Sequence, residues 1–383
     1  MKRRLQAEMA RAVDQGVFPG GVLLVARGED VTQVAAGRTE SGPQGRTVEA
    51  GTIYDLASLT KILSTTILTM IFWERRRIEL LAPLEQFRLF RVPEDKARLT
   101  PAQLLSHSTG LPAWRPFYQD LAGLPVEQRR PAVARAILAE PLAFSPGQRA
   151  VYSDLNFMLL GFILEAIGDK RQDDLFEAWI TRPLGVSGLS YRPLDLPEKG
   201  IPDGIAPTED LPCRGGVIRG VVHDDNALFL GGVAGHAGLF GTADAVWRIF
   251  CSLRRAYRGM DGGLVSENTV RSFWTRTYSA PGSSWALGFD GPSGVQPSAG
   301  RYFSARSVGH LGYTGTSLWY DPDRDLTIIL LSNRVHPTAG NLGIRSFRPR
   351  IHEVAVEAVD EHEKLRPLER GRPYSPGQSS GTE

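Results

Sequence analysis

Cysteine is almost missing from this chain: two residues, Cys213 and Cys251, among 383. Two are too few for a disulfide framework, and no metal-ligand spacing surrounds either one. An excess of one charge is also missing. The formal net charge is +2, and the basic residues are scattered, so neither a nucleic-acid partner nor an acidic surface is implied. No apolar run approaches the length of a membrane span, and no membrane partner is expected. The N-terminus, Met1-Lys2-Arg3-Arg4-Leu5-Gln6-Ala7-Glu8-Met9-Ala10, is basic but lacks an apolar stretch after the charges. It reads as the start of an amphipathic helix rather than a secretion signal, which makes the cytoplasm the expected location. The glycines follow neither G-x-G-x-x-G nor a Gly-Lys-Ser/Thr ending, so no nucleotide cofactor is implied. There is no internal repeat.

What remains is an ordinary globular composition, 42% hydrophobic and 22% charged, on a chain long enough to bury a sizeable core. Apolar runs at Gly21–Ala26 and Val31–Ala36 flank Arg27-Gly28-Glu29-Asp30, which predicts a hairpin. A second hairpin is predicted from Thr316–Tyr320 and Leu326–Leu331 around Asp321-Pro322-Asp323-Arg324-Asp325. A final helix is expected over roughly 351–365, with Pro349 as its start signal. Between the hairpins the spacing is helical: 61–76, 101–105, 131–139, 154–167 and 243–258. Terminal strands can pair into one antiparallel sheet covered by the terminal helices, an α+β arrangement. The expected organisation is one domain over 1–365. An α/β lobe takes about 1–57 and 300–365, and an all-helical lobe about 58–299. Residues 366–383, rich in Pro, Gly, Ser and charge, read as a disordered tail.

Ser58-Leu59-Thr60-Lys61 places a nucleophile and a cation three residues apart at the start of an apolar helix. Residues at that spacing share a helix face, so hydroxyl and amine can meet. Burial disfavours the charged amine and could leave it able to take the Ser58 proton, while the helix N-terminus favours an oxyanion. Tyr152-Ser153-Asp154 precedes another helix. Tyr152 suits a general base or proton shuttle if Lys61 lowers its pKa, and Asp154 reads either as a helix cap or as a partner of the site. Gly309-His310-Leu311-Gly312-Tyr313 leads into the C-terminal hairpin. Its glycines permit close approach of a ligand. The Tyr313 N–H would be an oxyanion donor beside that of Ser58, and His310 a titratable donor. The loop 231–241 reads as a tight turn packed close to the site. His223 and His236 suit structural hydrogen bonding better than metal ligation.

Together these residues resemble the serine β-lactamase-like superfamily: class C β-lactamases, DD-peptidases and related esterases. Ser58-Leu59-Thr60-Lys61 matches its S-x-x-K, Tyr152-Ser153-Asp154 its Y-x-N, and His310-Leu311-Gly312 its K-T-G or H-T-G. The stretch 222–226 and the loop 231–240 are similar to the penicillin-binding-protein-4B-like branch. The resemblance implies a two-lobed fold and metal-free acyl-enzyme chemistry. Ser58 attacks, Lys61 and Tyr152 move its proton, and the Ser58 and Tyr313 amides hold the oxyanion. Asp154, His310, Gly312 and Tyr313 then face the substrate. Two departures stand out. An ionised Asp154 only accepts where Asn also donates, and His310 replaces a permanent cation. Both favour an esterase with weak β-lactamase activity on a small ester, amide or lactam. The alternatives are a β-lactamase, a D-amino-acid peptidase or amidase on cell-wall fragments, and a non-catalytic penicillin-recognising protein.

Overall fold

The computed structural model describes residues 1–87, 91–195 and 204–370. Its strands in chain order are β1 (Gly20–Arg27), β2 (Asp30–Gly37), β3 (Tyr54–Asp55), β4 (Leu189–Tyr191) and β5 (Asp210–Leu211). They continue with β6 (Gly216–Val217), β7 (Leu239–Gly241), β8 (Val308–Leu311), β9 (Ser317–Asp321) and β10 (Leu326–Ser332). Five form one antiparallel sheet in the order β2-β1-β10-β9-β8. Both expected hairpins are present, and the first and last strands of the chain lie side by side, with Gly21 opposite Ser332 and Val25 opposite Ile328.

The strand period of two explains how this sheet serves two cores. Leu23, Val25, Ile328, Leu330 and Trp319 point to one face. There they meet Leu5, Met9 and Ala12 of the N-terminal helix Lys2–Asp14 and Ile351, Ala355 and Val359 of the C-terminal helix. Val22, Leu24, Ile329, Leu331, Leu318 and Tyr320 point to the other face and join the large core built by the middle of the chain. Strands buried on both faces need continuous apolar sequence, as Leu326-Thr327-Ile328-Ile329-Leu330-Leu331 has.

Three helix boundaries differ from expectation, and the 58–299 stretch is not all-helical, since β4, β5, β6 and β7 pair within or against it. The C-terminal helix runs Ile344–Arg370, so Pro349 lies inside it and does not start it. Pro349, past the first turn, cannot donate to the Arg345 carbonyl and crowds it, and packing on the sheet carries the helix through that cost. Residues 366–370, expected in a tail, continue that helix, while the remainder of the tail, 371–383, lies outside the described residues. The helix expected over 131–139 begins earlier, at Val126, with Pro131 inside it.

Candidate active site

The Ser58 turn is prepared by the residue types before it. Asp55 is buried and accepts the Ala57 N–H at 2.8 Å and the His223 N–H at 2.8 Å, one on each oxygen. The first is the local turn an Asp side chain makes with a backbone N–H two residues on. Ala57 has φ of 47°, a left-handed conformation that a non-glycine residue holds only when its surroundings impose it. Ser58 then opens a tight first turn, with the Lys61 N–H donating to the Ser58 carbonyl at 3.1 Å. Lys61–Thr65 is a π-helical turn that continues into the α-helix Thr66–Glu74. Such single turns concentrate at functional positions. Every residue from Leu59 to Phe72 is buried, so the helix carries Lys61 inside the protein.

There Lys61 Nζ donates to Ser58 Oγ at 2.9 Å, Asp154 Oδ1 at 2.7 Å and the His236 carbonyl at 3.2 Å. Tyr152 OH donates to the same Ser58 Oγ at 2.8 Å. The structure therefore brings Ser58, Lys61, Tyr152 and Asp154 into one cluster. Asp154 is not a cap: the cap position belongs to Ser153, without a side-chain cap bond, and the Asp154 carboxylate goes to Lys61. Burial pushes the Lys61 amine below its ordinary pKa, against the charge and hydrogen bond of Asp154. Burial and the Asp154 charge push Tyr152 well above its ordinary value. Of the two roles expected for Tyr152, this disfavours the general base with a lowered pKa and leaves the proton shuttle. Tyr152 is a neutral phenol, able to hand on a proton but costly to ionise.

Two other segments close the site. The loop before β7 is pressed against the Asp154 helix through Gly235, where a Cβ would lie 2.0 Å from the Phe157 carbonyl oxygen. Thr65 donates to the Gly235 carbonyl at 2.6 Å. His236 Nε2 donates to Asp224 Oδ1 at 2.8 Å, and His223 meets Glu209 at 2.9 Å, so both histidines serve hydrogen bonding. On the sheet side, Gly312 permits close chain approach: a Cβ there would meet Thr316 Oγ1 at 1.9 Å and the Leu56 carbonyl at 2.7 Å. Thr314 and Thr316 donate to the carbonyls of Asp55 and Leu56. This fastens the 312–316 loop to the Ser58 turn. Among the described residues the backbone N–H groups of Ser58 and Tyr313 have no acceptor, and both residues line the same cleft.

His310 departs from expectation. Its Nδ1 lies 2.7 Å from the Leu311 carbonyl, which only accepts, so Nδ1 carries the hydrogen. Nε2 is then an acceptor, buried without a partner, rather than a donor. Burial and the Lys61 charge lower its pKa to about 3, so it is neutral across the physiological range. Its ring packs with those of Tyr152 and Trp285, at centroid distances of 5.8 and 5.5 Å.

The cleft has a volume of about 770 Å³. Besides the expected residues it is lined by Asp224, Trp114, Trp285, Arg345 and Arg348, which sequence reasoning did not assign to the site. Arg348 donates to the carbonyls of Gly312 at 2.5 Å and Thr316 at 2.9 Å, and burial with the nearby Arg334 lowers its pKa to about 9. Arg345 is exposed one turn earlier. Their spacing of three was the available signal: it puts two cations on one face of the C-terminal helix.

The beta-lactamase family profile matches residues 4–346, and the chain belongs to that family. A protein of Escherichia coli O157:H7, named as a candidate D-alanyl-D-alanine carboxypeptidase, is 32% identical over 360 residues, covering 86% of this chain and 81% of its own. A protein of the same name from Escherichia coli strain K12 is 33% identical over 312 residues, 75% of this chain and 70% of its own. Among solved structures, simvastatin synthase (LovD) from Aspergillus terreus superposes with a TM-score of 0.70 at 17% identity, over 94% of this chain and 99% of that one. EstCE1, described as a hydrolase with promiscuous acyltransferase activity, gives 0.69 at 22% identity, over 91% and 98%. Sharing the fold at that identity speaks for architecture, not for substrate.

Proposed function

We propose that this protein is a serine hydrolase that works through an acyl-enzyme on Ser58. The observation that carries the reading is the position of Ser58 Oγ, 2.9 Å from Lys61 Nζ and 2.8 Å from Tyr152 OH. In the first half-reaction Oγ bonds to the substrate carbonyl carbon and its proton passes to Lys61 once that amine is neutral. The amides of Ser58 and Tyr313 receive the oxyanion. Tyr152 gives its proton to the departing oxygen or nitrogen and is reprotonated from Lys61. Water then attacks the acyl carbonyl by the same path in reverse.

The substrate we favour is an acylated D-amino acid or peptide with a free carboxylate. Two findings support it. The relatives about a third identical carry a D-alanyl-D-alanine carboxypeptidase name, and Arg345 and Arg348 supply to the cleft the positive charge that a neutral His310 does not. The esterase reading is favoured instead by that neutral His310 and by Asp154, which cannot donate to an acyl-side carbonyl. Turnover of a D-Ala-D-Ala peptide, a short-chain p-nitrophenyl ester and nitrocefin by the wild type separates these substrates. Ser58→Ala is expected to lose at least about a thousandfold on whichever is turned over, with the mass adduct at Ser58 lost too. Equal turnover by both proteins would sink the assignment.

A further inference from the structure

Each of the three acceptors around Lys61 Nζ belongs to a different part of the chain: Ser58 Oγ, Asp154 Oδ1 and the carbonyl of His236. That carbonyl is itself held in place. The His236 ring donates from Nε2 to Asp224 Oδ1, and the same oxygen accepts the Ala227 N–H at 2.8 Å, capping the helix Asp225–Phe229. One carboxylate thus touches the lysine, and a second fixes the carbonyl that touches it. Three acceptors around one nitrogen suit an ammonium, which donates three hydrogens and accepts none.

We propose that Asp154 by contact, and the Asp224–His236 pair through the His236 carbonyl, are positioning residues that hold Lys61 as the ammonium and make the arming of Ser58 depend on pH. The proposal rests on Ser58 being the nucleophile. The titratable groups facing the amine are Asp154 and Tyr152 from the 152–154 segment, Asp224 and His236 from the loops before and after the short helix, His107, and His310 from β8. His107 and His310 are kept neutral by burial, and Tyr152 is a neutral phenol. Burial of Lys61 opposes the carboxylates and brings deprotonation within reach. The arming step moves one proton from Nζ to Asp154 Oδ1 across 2.7 Å and from there to water, with Asp154 returning to the carboxylate. The freed lone pair then takes the Ser58 proton as Oγ bonds to the carbonyl carbon. An Asn at position 154 carries no charge to hold that proton, so the amine would release it directly to water at lower pH.

The test is the pH dependence of Ser58 labelling by a fluorophosphonate, read by intact mass, beside kcat/KM on the preferred substrate. Removing the contacting charge in Asp154→Asn is expected to move the acid limb to lower pH by at least about one unit, since an opposite charge in contact moves a pKa by roughly 1–3 units. Asp224→Asn moves it the same way by less, and Asp154→Glu leaves it near the wild type. An unmoved limb in an Asp154→Asn protein that still labels overturns the proposal, as does an equal shift in Asp154→Glu. If Asp154→Asn does not fold, as judged by circular dichroism and melting, Asp224→Asn decides in the same terms. A wild type that never labels at Ser58 removes the nucleophile itself, and the proposal with it.

Discussion

Tyr152 shows what a single residue's surroundings decide. Its hydroxyl touches the nucleophile, yet burial and a carboxylate keep its proton on. Tyr152→Phe keeps the ring packed at a tilt against His107, at a centroid distance of 4.8 Å, and removes only the donor. The expected result is a kcat about a hundredfold or more lower, with KM little changed, because proton transfer to the leaving group is lost while binding is not. A loss confined to KM would contradict the shuttle. At this scale Ser58 and Lys61 were legible, since their spacing alone brings them together. The tautomer of His310 was not. It depends on the Leu311 carbonyl at 2.7 Å, a distance fixed by strand geometry rather than residue type. Asp154 was legible as one of two alternatives, and the choice fell to a lysine far away in sequence.

Among the elements, the loop before β7 does the most with the least side chain. Gly235 lies so close to the Phe157 carbonyl that any Cβ must displace it. Gly235→Ala is therefore expected to cost about 1–3 kcal/mol, in the range of overpacked sites. It should also move the His236 carbonyl away from Lys61, so kcat should fall more than the loss of stability explains at a temperature where the variant is folded. Urea titration and single-turnover kinetics on the same preparation check both. A normal kcat in a destabilised variant would separate the loop from the chemistry. The glycine run announced a tight loop, but its partner was invisible, because the contact is between main chains from different elements. Pro349 misled for the opposite reason: a local breaker signal was overridden by tertiary packing.

For the molecule as a whole, three buried histidines contribute to the response to acid. His310 and His352 are each lowered to about 3 from 6.5, and His107 lies well below its ordinary value, in every case chiefly through burial. Their folded pKa values lie below the unfolded ones, so the stability they contribute is complete above 6.5 and is lost as pH falls toward 3. Each proton bound by the unfolded chain and refused by the fold costs about 1.4 kcal/mol per pH unit. The urea midpoint is expected to drop clearly from pH 7 to pH 5 at constant m, and less in His352→Asn measured against its own value at pH 7. An equal drop in the wild type and in His352→Asn would show that this ring is not held neutral. The α+β plan was legible because paired strand signals sit near both ends of the chain. The division of apolar residues between two cores was legible only once the sheet supplied a face for each.

That sheet carries one more consequence. β1 is flanked by β2, its immediate neighbour in sequence, and by β10, whose Ser332 pairs with Gly21. A ribosome releases the hairpin long before it releases the strand that completes it. Contacts of such wide separation form slowly, so in the interval β1 presents an open apolar edge to the cell. Newly made chains stalled before β10 should therefore be a clientele for chaperones, whereas chains that include β10 and the C-terminal helix covering the sheet should not.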